Sequence, residues 1–257
     1  MNLRDVKCFL LDMDGTFYLG DRLLEGSLDF IRALEQRGIS YLFLTNNSSK
    51  SASYYMQKLK RMGLETDRVL TSGQAAGRYC LRTFPGKRAF LLGNDLLRAE
   101  LEAMGLVMDD SRPDYVLIGY DTTLDYPKMT KVCDLVRAGL PYVATHPDFN
   151  CPTETGFAPD IGAIIAFIEA SAGRRPDVIL GKPYAGIVEE ALQLTGLQKQ
   201  ELAMVGDRLY TDIATGRNFG MLSILVLTGE AGEADIARTG IEPDLVFERL
   251  NAMSPYL

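Results

Sequence analysis

The sequence predicts an α/β protein built on mostly parallel sheets, with a second α/β unit inserted into the first. Short apolar runs rich in β-branched and aromatic residues are typical of buried strands, and they alternate with amphipathic helical segments along the chain. This alternation favours parallel sheets covered by helices on both faces. A chain of 257 residues is long enough for one or two domains with an ample core.

Each element is predicted from its apolar pattern. Strands are placed where Val, Ile, Leu, Tyr and Phe concentrate, and helices where apolar residues recur three and four apart. Ser27 is predicted to cap the first helix, and glycines such as Gly38 and Gly63 end helices. The predicted strands are 6–11, 39–44, 69–71, 89–92, 115–119, 142–145, 178–180, 202–205, 222–227 and 245–247. The predicted helices are 27–38, 51–62, 74–83, 95–104, 126–138, 161–172 and 212–220, with a further helix that follows Pro183 and reaches Gly196. A short hairpin or flap is predicted after Gly15.

Four of the predicted strands end in a cluster of polar residues. Ligands of open parallel sheets bind at the carboxyl ends of strands, so these clusters are expected to converge on one crevice. Carboxylates are costly to hold together unless a cation or a reaction needs them. The clusters contain Asp12 and Asp14, Thr45 and Asn46, Lys182, and Asp207 and Asp212.

The residue types in these clusters indicate phosphoryl transfer. Carboxylates without histidine suit Mg²⁺ better than zinc, and Mg²⁺ is commonly shared with substrate phosphate oxygens. A lysine and a threonine hydroxyl can hold the remaining phosphate oxygens. One aspartate can attack as a nucleophile to form an acyl phosphate, and a second can act as general acid and then general base.

The spacing of the clusters locates the inserted unit. One helix and one strand, beyond the flap, separate Asp14 from Thr45. Between Thr45 and Lys182 there are far more residues than one crossover connection needs. We therefore predict a discontinuous core domain of residues 1–72 and 178–257 and an inserted α/β domain of residues 73–177.

Composition and charge exclude several classes of protein. The net charge is −7 and no basic run stands out, so no nucleic-acid partner is expected. The four cysteines form no C-x-x-C pair, which is typical of reduced thiols in a cytoplasmic protein. No leader segment or apolar run of membrane-spanning length is present, so no membrane association is expected. The single histidine, His146, argues against a zinc site and weakens a Ser-His-Asp proposal.

Four motifs together resemble those of the haloacid dehalogenase (HAD) superfamily of phosphatases. Their order and spacing are similar to the class IIA, NagD-like branch, which includes p-nitrophenyl phosphatases and phosphoglycolate phosphatases. The resemblance covers nearly the whole chain and implies a Rossmann-like core with a cap domain of the C2 type, inserted after the second motif. The motifs are Asp12-Met13-Asp14-Gly15-Thr16, Thr45-Asn46-Asn47, Gly181-Lys182-Pro183 and Gly206-Asp207-Arg208-Leu209-Tyr210-Thr211-Asp212.

The resemblance also implies a role for each motif residue. As catalytic residues it implies Asp12 as nucleophile, Asp14 as acid/base and Lys182 as the group that steadies phosphate and nucleophile. As metal ligands it implies Asp12, Asp14 through its backbone carbonyl, Asp207, and Asp212 either directly or as a support. As phosphate-binding residues it implies Gly15, Thr45, the Asn46 amide and Lys182.

Some residues keep two interpretations at this point. His146 and Asp148 follow a strand of the inserted domain, where they either touch the leaving group of the substrate or belong to a loop without a catalytic part. Arg208 either orients the neighbouring carboxylates or lies on the surface.

The sequence therefore predicts a cytoplasmic, Mg²⁺-dependent phosphatase. Its expected partners are small phosphorylated metabolites, namely a sugar phosphate, phosphoglycolate or a nucleoside monophosphate, cleaved through an aspartyl-phosphate. The resemblance also allows a homodimer formed through the cap. Two alternatives are a phosphotransferase on the same fold and a catalytically idle binding or scaffold protein.

Overall fold

The structure is a computed structural model that describes residues 2–153 and 156–257. The chain forms two compact units. The first comprises Met1–Thr45, Ser53–Leu70 and Val188–Leu257, and the second comprises Asn46–Ala52 and Thr71–Ile187. Each contains a sheet of parallel strands, which confirms the predicted α/β class. The exact limits of a core domain and an inserted domain remain a prediction.

The elements of both units follow in chain order. The strands are β1 (Cys8–Leu11), β2 (Tyr18–Leu19), β3 (Arg22–Leu23), β4 (Ser40–Thr45), β5 (Val69–Thr71), β6 (Arg88–Leu92), β7 (Val107–Met108), β8 (Tyr115–Ile118), β9 (Tyr142–Ala144), β10 (Asn150–Thr153), β11 (Gly156–Pro159), β12 (Val178–Ile179), β13 (Leu202–Gly206), β14 (Leu222–Val226) and β15 (Leu245–Phe247). The helices are α1 (Ser27–Gln36), α2 (Ala52–Arg61), α3 (Ser72–Thr83), α4 (Asp95–Ala103), α5 (Tyr126–Arg137), α6 (Ile161–Ala172), α7 (Ala185–Thr195), α8 (Ala214–Phe219) and α9 (Glu233–Thr239).

The sheet of the first unit has the order β15-β14-β13-β1-β4-β5. Strand β1 lies in its interior and pairs in parallel with β13 and β4, so that Leu11 stands between Val205 and Phe43. All four residues of β1 are buried, as expected for a strand covered on both faces. Asp12 follows β1 and Asp207 follows β13, and this register brings both carboxylates to the same edge of the sheet.

The sheet of the second unit has the order β12-β9-β8-β6-β7, and its strand pairs are parallel. Helices α5 and α6 share one apolar cluster with β6, β8 and β9. The antiparallel hairpin β10–β11 precedes α6. This hairpin was not predicted, because Asn150-Cys151-Pro152 lacks the apolar alternation of a strand.

One predicted cap is wrong. Ser27 is the first residue of α1, not its N-cap; Gly26 occupies that position with a φ of +80°. The Ser27 hydroxyl instead donates to the carbonyl oxygen of Phe17 at 2.8 Å, which joins the start of α1 to the flap. Helix α9 and the short strand β7 were not predicted from the sequence.

Among the described residues, no helix combines the length and the apolar character that crossing a membrane requires.

Candidate active site

Three carboxylates meet at the carboxyl edge of the sheet of the first unit. One oxygen from each of Asp12, Asp207 and Asp212 lies within 4.8 Å of the other two. Asp207 and Asp212 are 2% and 0% exposed, and Asp12 is 9% exposed. We call these three residues the acidic cluster. The structure thus brings together three side chains predicted from two motifs that are almost 200 residues apart.

Hydrogen bonds hold the carboxylates of the last motif in place. Thr16 Oγ1 donates to Asp207 Oδ1 at 3.2 Å, and the Glu230 amide donates to Asp207 Oδ2 at 2.8 Å. The Arg208 amide donates to Asp212 Oδ2 at 3.1 Å. Each bound oxygen keeps a further lone pair, so the cluster can still coordinate a cation.

Two glycines make this close packing possible. Gly15 has a φ of +87°, and a Cβ atom there would lie 2.3 Å from Asp207 Oδ2. A Cβ atom on Gly206 would lie 2.2 Å from the Cγ atom of Asp212. Gly15, which was predicted to bind phosphate, therefore also gives Asp207 the space it occupies.

The crowding of negative charge changes the proton affinities of the site. Burial, followed by repulsion from Asp12, raises the pKa of Asp207 above its usual value. Burial also raises the pKa of Asp14, and Asp12 adds to the effect, whereas the nearby charge of Lys58 opposes it. Asp14 keeps part of its surface open to solvent, so its carboxyl group can exchange protons with molecules outside.

The flap after Asp14 contacts Lys58, a residue that was not predicted to belong to the site. The Gly15 amide donates to the carbonyl oxygen of Tyr18 at 2.8 Å, and Tyr18 is 1% exposed. The Lys58 ammonium of α2 lies 4.0 Å from the centre of the Tyr18 ring and 3.6 Å from Asp21 Oδ1. The signal in the sequence was weak, because Lys58 is one of several basic residues near the end of an ordinary amphipathic helix.

A second missed segment, Thr228–Ala231, follows β14. Thr228 Oγ1 donates to the Gly15 carbonyl oxygen at 2.7 Å, and the Ala231 amide donates to the Asp207 carbonyl oxygen at 3.1 Å. This segment joins the first motif to the last. The one available signal in the sequence was a glycine, Gly229, after a buried strand. In the structure, a Cβ atom at this position would lie 2.0 Å from Asp207 Oδ2.

Arg208 lies beside the acidic cluster and not on the open surface. Its side chain is 16% exposed, and its Nε atom lies 3.1 Å from Glu230 Oε2. Burial by itself lowers the pKa of Arg208, but the carboxylates of Asp12, Asp207 and Asp212 together outweigh it, so the pKa is raised. Of the two interpretations of Arg208 left open above, the structure therefore favours a position next to the carboxylates over an open surface position.

The remaining motif residues occupy both units. Thr45 is the last residue of β4 in the first unit and is 7% exposed. Asn46 and Lys182 belong to the second unit, where the Asn46 side chain bonds to the Lys182 main chain and donates to Asp148 Oδ1 at 3.1 Å. Lys182 is 2% exposed and Asp148 is 7% exposed.

His146 is completely buried in the second unit. Its Nε2 atom lies 3.1 Å from Asp160 Oδ1, and its Nδ1 atom lies 3.0 Å from Thr145 Oγ1. Asp160 is also the N-cap of α6. This geometry gives His146 a structural role between β9 and α6, and its predicted contact with a leaving group remains a prediction.

Comparison with known proteins identifies the family. Residues 9–107 match the haloacid dehalogenase-like hydrolase family, and residues 179–253 match a family described as HAD-hydrolase-like. An acid sugar phosphatase of Staphylococcus aureus (strain MRSA252) is 38% identical over 252 residues, which is 97% of each chain. The chain belongs to the haloacid dehalogenase-like hydrolases.

Two solved structures resemble this HAD hydrolase over nearly its whole length. The 4-nitrophenylphosphatase of Thermotoga maritima has a TM-score of 0.95 and 47% identity, covering 98% of this chain and 97% of its own. The glycerol phosphate phosphatase of Mycobacterium tuberculosis, solved in complex with magnesium, has a TM-score of 0.88 and 30% identity, covering 98% of this chain and 78% of its own. The predicted family, its nitrophenylphosphatase-containing branch and the prediction of a phosphatase-type hydrolase are confirmed.

Proposed function

We propose that this HAD hydrolase is a Mg²⁺-dependent phosphatase that cleaves small phosphomonoesters through an aspartyl-phosphate on Asp12. The observation that carries the proposal is the convergence of Asp12, Asp207 and Asp212 within 4.8 Å at the end of a buried parallel strand pair. Three buried carboxylates repel one another, and a bound cation would offset that repulsion.

The residues of the cluster fit a magnesium ion. All the side-chain donor atoms are carboxylate oxygens, with no sulfur or imidazole among the three residues. Hard oxygen donors suit Mg²⁺, which binds through a few carboxylates and keeps several waters. Asp12, Asp207, Asp212 and the Asp14 carbonyl oxygen would hold the ion, and a bound Mg²⁺ would neutralise charge on the transferring phosphoryl group.

The protein's own residues would divide the chemistry between two steps. In the first, an Asp12 oxygen attacks phosphorus while Asp14 donates a proton to the departing alkoxide oxygen. In the second, Asp14 removes a proton from water, and that water attacks phosphorus and releases Asp12. A raised pKa suits Asp14 to this task, because the carboxyl group must be protonated at the start of the first step.

Four further residues are proposed to bind the phosphate. Thr45 would donate its hydroxyl, Gly15 and Asn46 their main-chain amides, and Lys182 its ammonium group. Such fixed donors stabilise charge on the equatorial oxygens of a phosphoryl group. His146 and Asp148 are proposed to contact the leaving group.

Candidate substrates come from the relatives and from the resemblance. Relatives with similar chains are named for acid sugar phosphatase, 4-nitrophenylphosphatase and glycerol phosphate phosphatase activities. The proposed substrate is therefore a sugar phosphate, phosphoglycolate or a nucleoside monophosphate. The proposed location of the enzyme is the cytoplasm. The acidic net charge of −7 gives no reason to expect a nucleic-acid partner.

A homodimer through the second unit is part of the proposal. Phe149 precedes strand β10 of that unit and is 58% exposed, and Phe157 lies on strand β11 and is 73% exposed. Exposed aromatic side chains are enriched where proteins associate. Light scattering during size-exclusion chromatography measures the oligomeric state directly.

The decisive experiment is the Asp12→Asn variant, assayed for phosphate release from p-nitrophenyl phosphate with and without Mg²⁺. We expect turnover to be abolished while circular dichroism shows an unchanged fold. Near-normal Mg²⁺-dependent hydrolysis by this variant would exclude Asp12 as the nucleophile. Measuring free phosphate against phosphate transferred to an added alcohol distinguishes a phosphatase from a phosphotransferase.

A further inference from the structure

Arg208 and Glu230 form an ion pair at the margin of the acidic cluster. Arg208 Nε lies 3.1 Å from Glu230 Oε2, and the Arg208 side chain is largely buried. Arg208 follows Asp207 in the chain, and its amide donates to Asp212 Oδ2. A guanidinium group is always protonated in proteins, so a permanent positive charge accompanies the cluster.

Glu230 is attached to the cluster as well as to Arg208. Its amide donates to Asp207 Oδ2 at 2.8 Å, and the Tyr210 hydroxyl donates to its Oε2 atom at 3.3 Å. The main chain of Glu230 therefore bonds to one proposed metal ligand, while its carboxylate forms an ion pair with the guanidinium. No role in the proposed chemistry accounts for this pair.

We propose that Glu230 is a positioning residue for Arg208, and that the guanidinium acts as an internal counter-ion that lowers the affinity of the acidic cluster for a divalent cation. The inference rests on the proposed function, because it takes the cluster to be the metal site. Without a cation, the guanidinium offsets part of the repulsion among Asp12, Asp207 and Asp212. When Mg²⁺ binds, the same charge repels it.

The two members of the pair should affect metal binding in opposite directions. Removing the positive charge of Arg208 leaves the carboxylates to attract Mg²⁺ without opposition, so binding becomes tighter. Removing the negative charge of Glu230 takes one negative charge from the site and leaves the positive charge of Arg208 in place, so binding becomes weaker. Loss of a merely structural contact would weaken binding in both variants.

The test is isothermal titration of the metal-free protein with MgCl₂ at constant ionic strength. We expect Arg208→Gln to lower the Mg²⁺ dissociation constant about fivefold or more, and Glu230→Gln to raise it by a similar factor. Arg208→Gln/Glu230→Gln should lie within about twofold of the unsubstituted protein, since the two charge effects largely cancel. Arg208→Gln should also lower the metal-free melting temperature while enlarging the rise that Mg²⁺ produces.

Two control variants separate charge from packing. Arg208→Lys keeps the positive charge, so its Mg²⁺ affinity should stay near that of the unsubstituted protein. Arg217→Gln breaks an ion pair with Asp244 of similar length, 3.1 Å, that involves none of the cluster residues, and should leave the affinity unchanged. If Arg208→Gln does not fold, Glu230→Gln and Arg208→Lys still test the proposal.

The outcomes are distinguishable. Affinity changes of the same sign in the two single variants, or no change in either, would overturn the role of this ion pair while leaving the proposed function intact. Failure of the unsubstituted protein to bind Mg²⁺ would instead overturn the proposed metal site, and the inference with it.

Discussion

The side chain of Asn46 forms two hydrogen bonds with the main chain of Lys182. Asn46 Oδ1 accepts from the Lys182 amide at 2.8 Å, and Asn46 Nδ2 donates to the Lys182 carbonyl oxygen at 2.9 Å. A third bond from Nδ2 reaches Asp148, and the Asn46 carbonyl oxygen accepts a short hydrogen bond from the Ser72 hydroxyl. The second motif thus fixes the position of the third within the second unit.

The first prediction concerns these hydrogen bonds between Asn46 and Lys182. Asn46→Ala should lower kcat by about tenfold to a hundredfold, because a displacement of roughly 1 Å at the lysine proposed to bind phosphate is enough to cost that much. Steady-state hydrolysis of p-nitrophenyl phosphate measures the effect, and circular dichroism checks the fold. Asn218→Ala, at an exposed position of α8, is the matched control.

A double-mutant cycle shows whether Asn46 acts through Lys182. If it does, Asn46→Ala should cost little more once Lys182→Ala is present. Independent, additive losses would contradict the interpretation and would point to a separate role for the Asn46 side chain.

The second prediction concerns Lys58 and the pH profile. The Lys58 charge lowers the pKa of Asp14, so Lys58→Met should raise that pKa. Because the proposed mechanism requires a protonated Asp14 in the first step, the alkaline limb of the kcat profile should move to higher pH. Lys60→Met is the control, since Lys60 is exposed and paired with Glu65. An unmoved limb in Lys58→Met would show that Lys58 does not influence Asp14.

The third prediction concerns the stability of the metal-free protein. The pKa of Asp207 is raised in the folded state, so the folded protein binds this proton more tightly than the unfolded chain does. The contribution of Asp207 to the free energy of unfolding is therefore fully present below its unfolded pKa of about 4 and is lost as pH rises through the higher folded value.

Thermal unfolding in EDTA, compared between the unsubstituted protein and Asp207→Asn, isolates this contribution. Relative to the variant, the unsubstituted protein should lose stability between about pH 4 and pH 7. Added Mg²⁺ should reverse the loss in the unsubstituted protein alone. A difference between the two proteins that does not depend on pH would refute the expectation.

The fourth prediction concerns His146 and Asp160. His146→Ala should reduce the free energy of unfolding by about 2–4 kcal/mol, because it opens a cavity and leaves the Asp160 carboxylate buried without its imidazole partner. Urea denaturation measures this loss. A variant as stable as the unsubstituted protein would contradict the structural role. Unequal effects of His146→Gln on kcat/KM for two different leaving groups would support the predicted substrate contact.

Much of the architecture could be predicted because it follows from local patterns. Helix α6 and strands β5 and β15 have the predicted bounds, and most other elements differ by no more than two residues at either end. Hydrophobic periodicity and glycine positions determine these elements, and both can be read within a short window. The β10–β11 hairpin was missed because antiparallel pairing, and not an apolar pattern, defines it.

The residues of the candidate site also fall into those that the sequence identifies and those that it does not. The motif aspartates could be identified because their spacing and order are properties of the chain, and parallel strands bring their carboxyl ends to one edge. Lys58, Thr228 and Glu230 could not be identified, because the signals near them are weak, namely a basic helix end for Lys58 and Gly229 after a strand for the other two. Their roles depend on contacts such as that between Thr228 and Gly15, which are 213 residues apart.

The sequence by itself determined the α/β class, the four motifs and the residue types available for chemistry, since short-range periodicity and the order of residues suffice for these. Only the tertiary structure decided that Arg208 lies beside the carboxylates, that the Asn46 side chain holds the Lys182 main chain, and that His146 is buried against Asp160. Each of these depends on side-chain direction and on hydrogen bonds between distant segments, which are fixed when the chain packs.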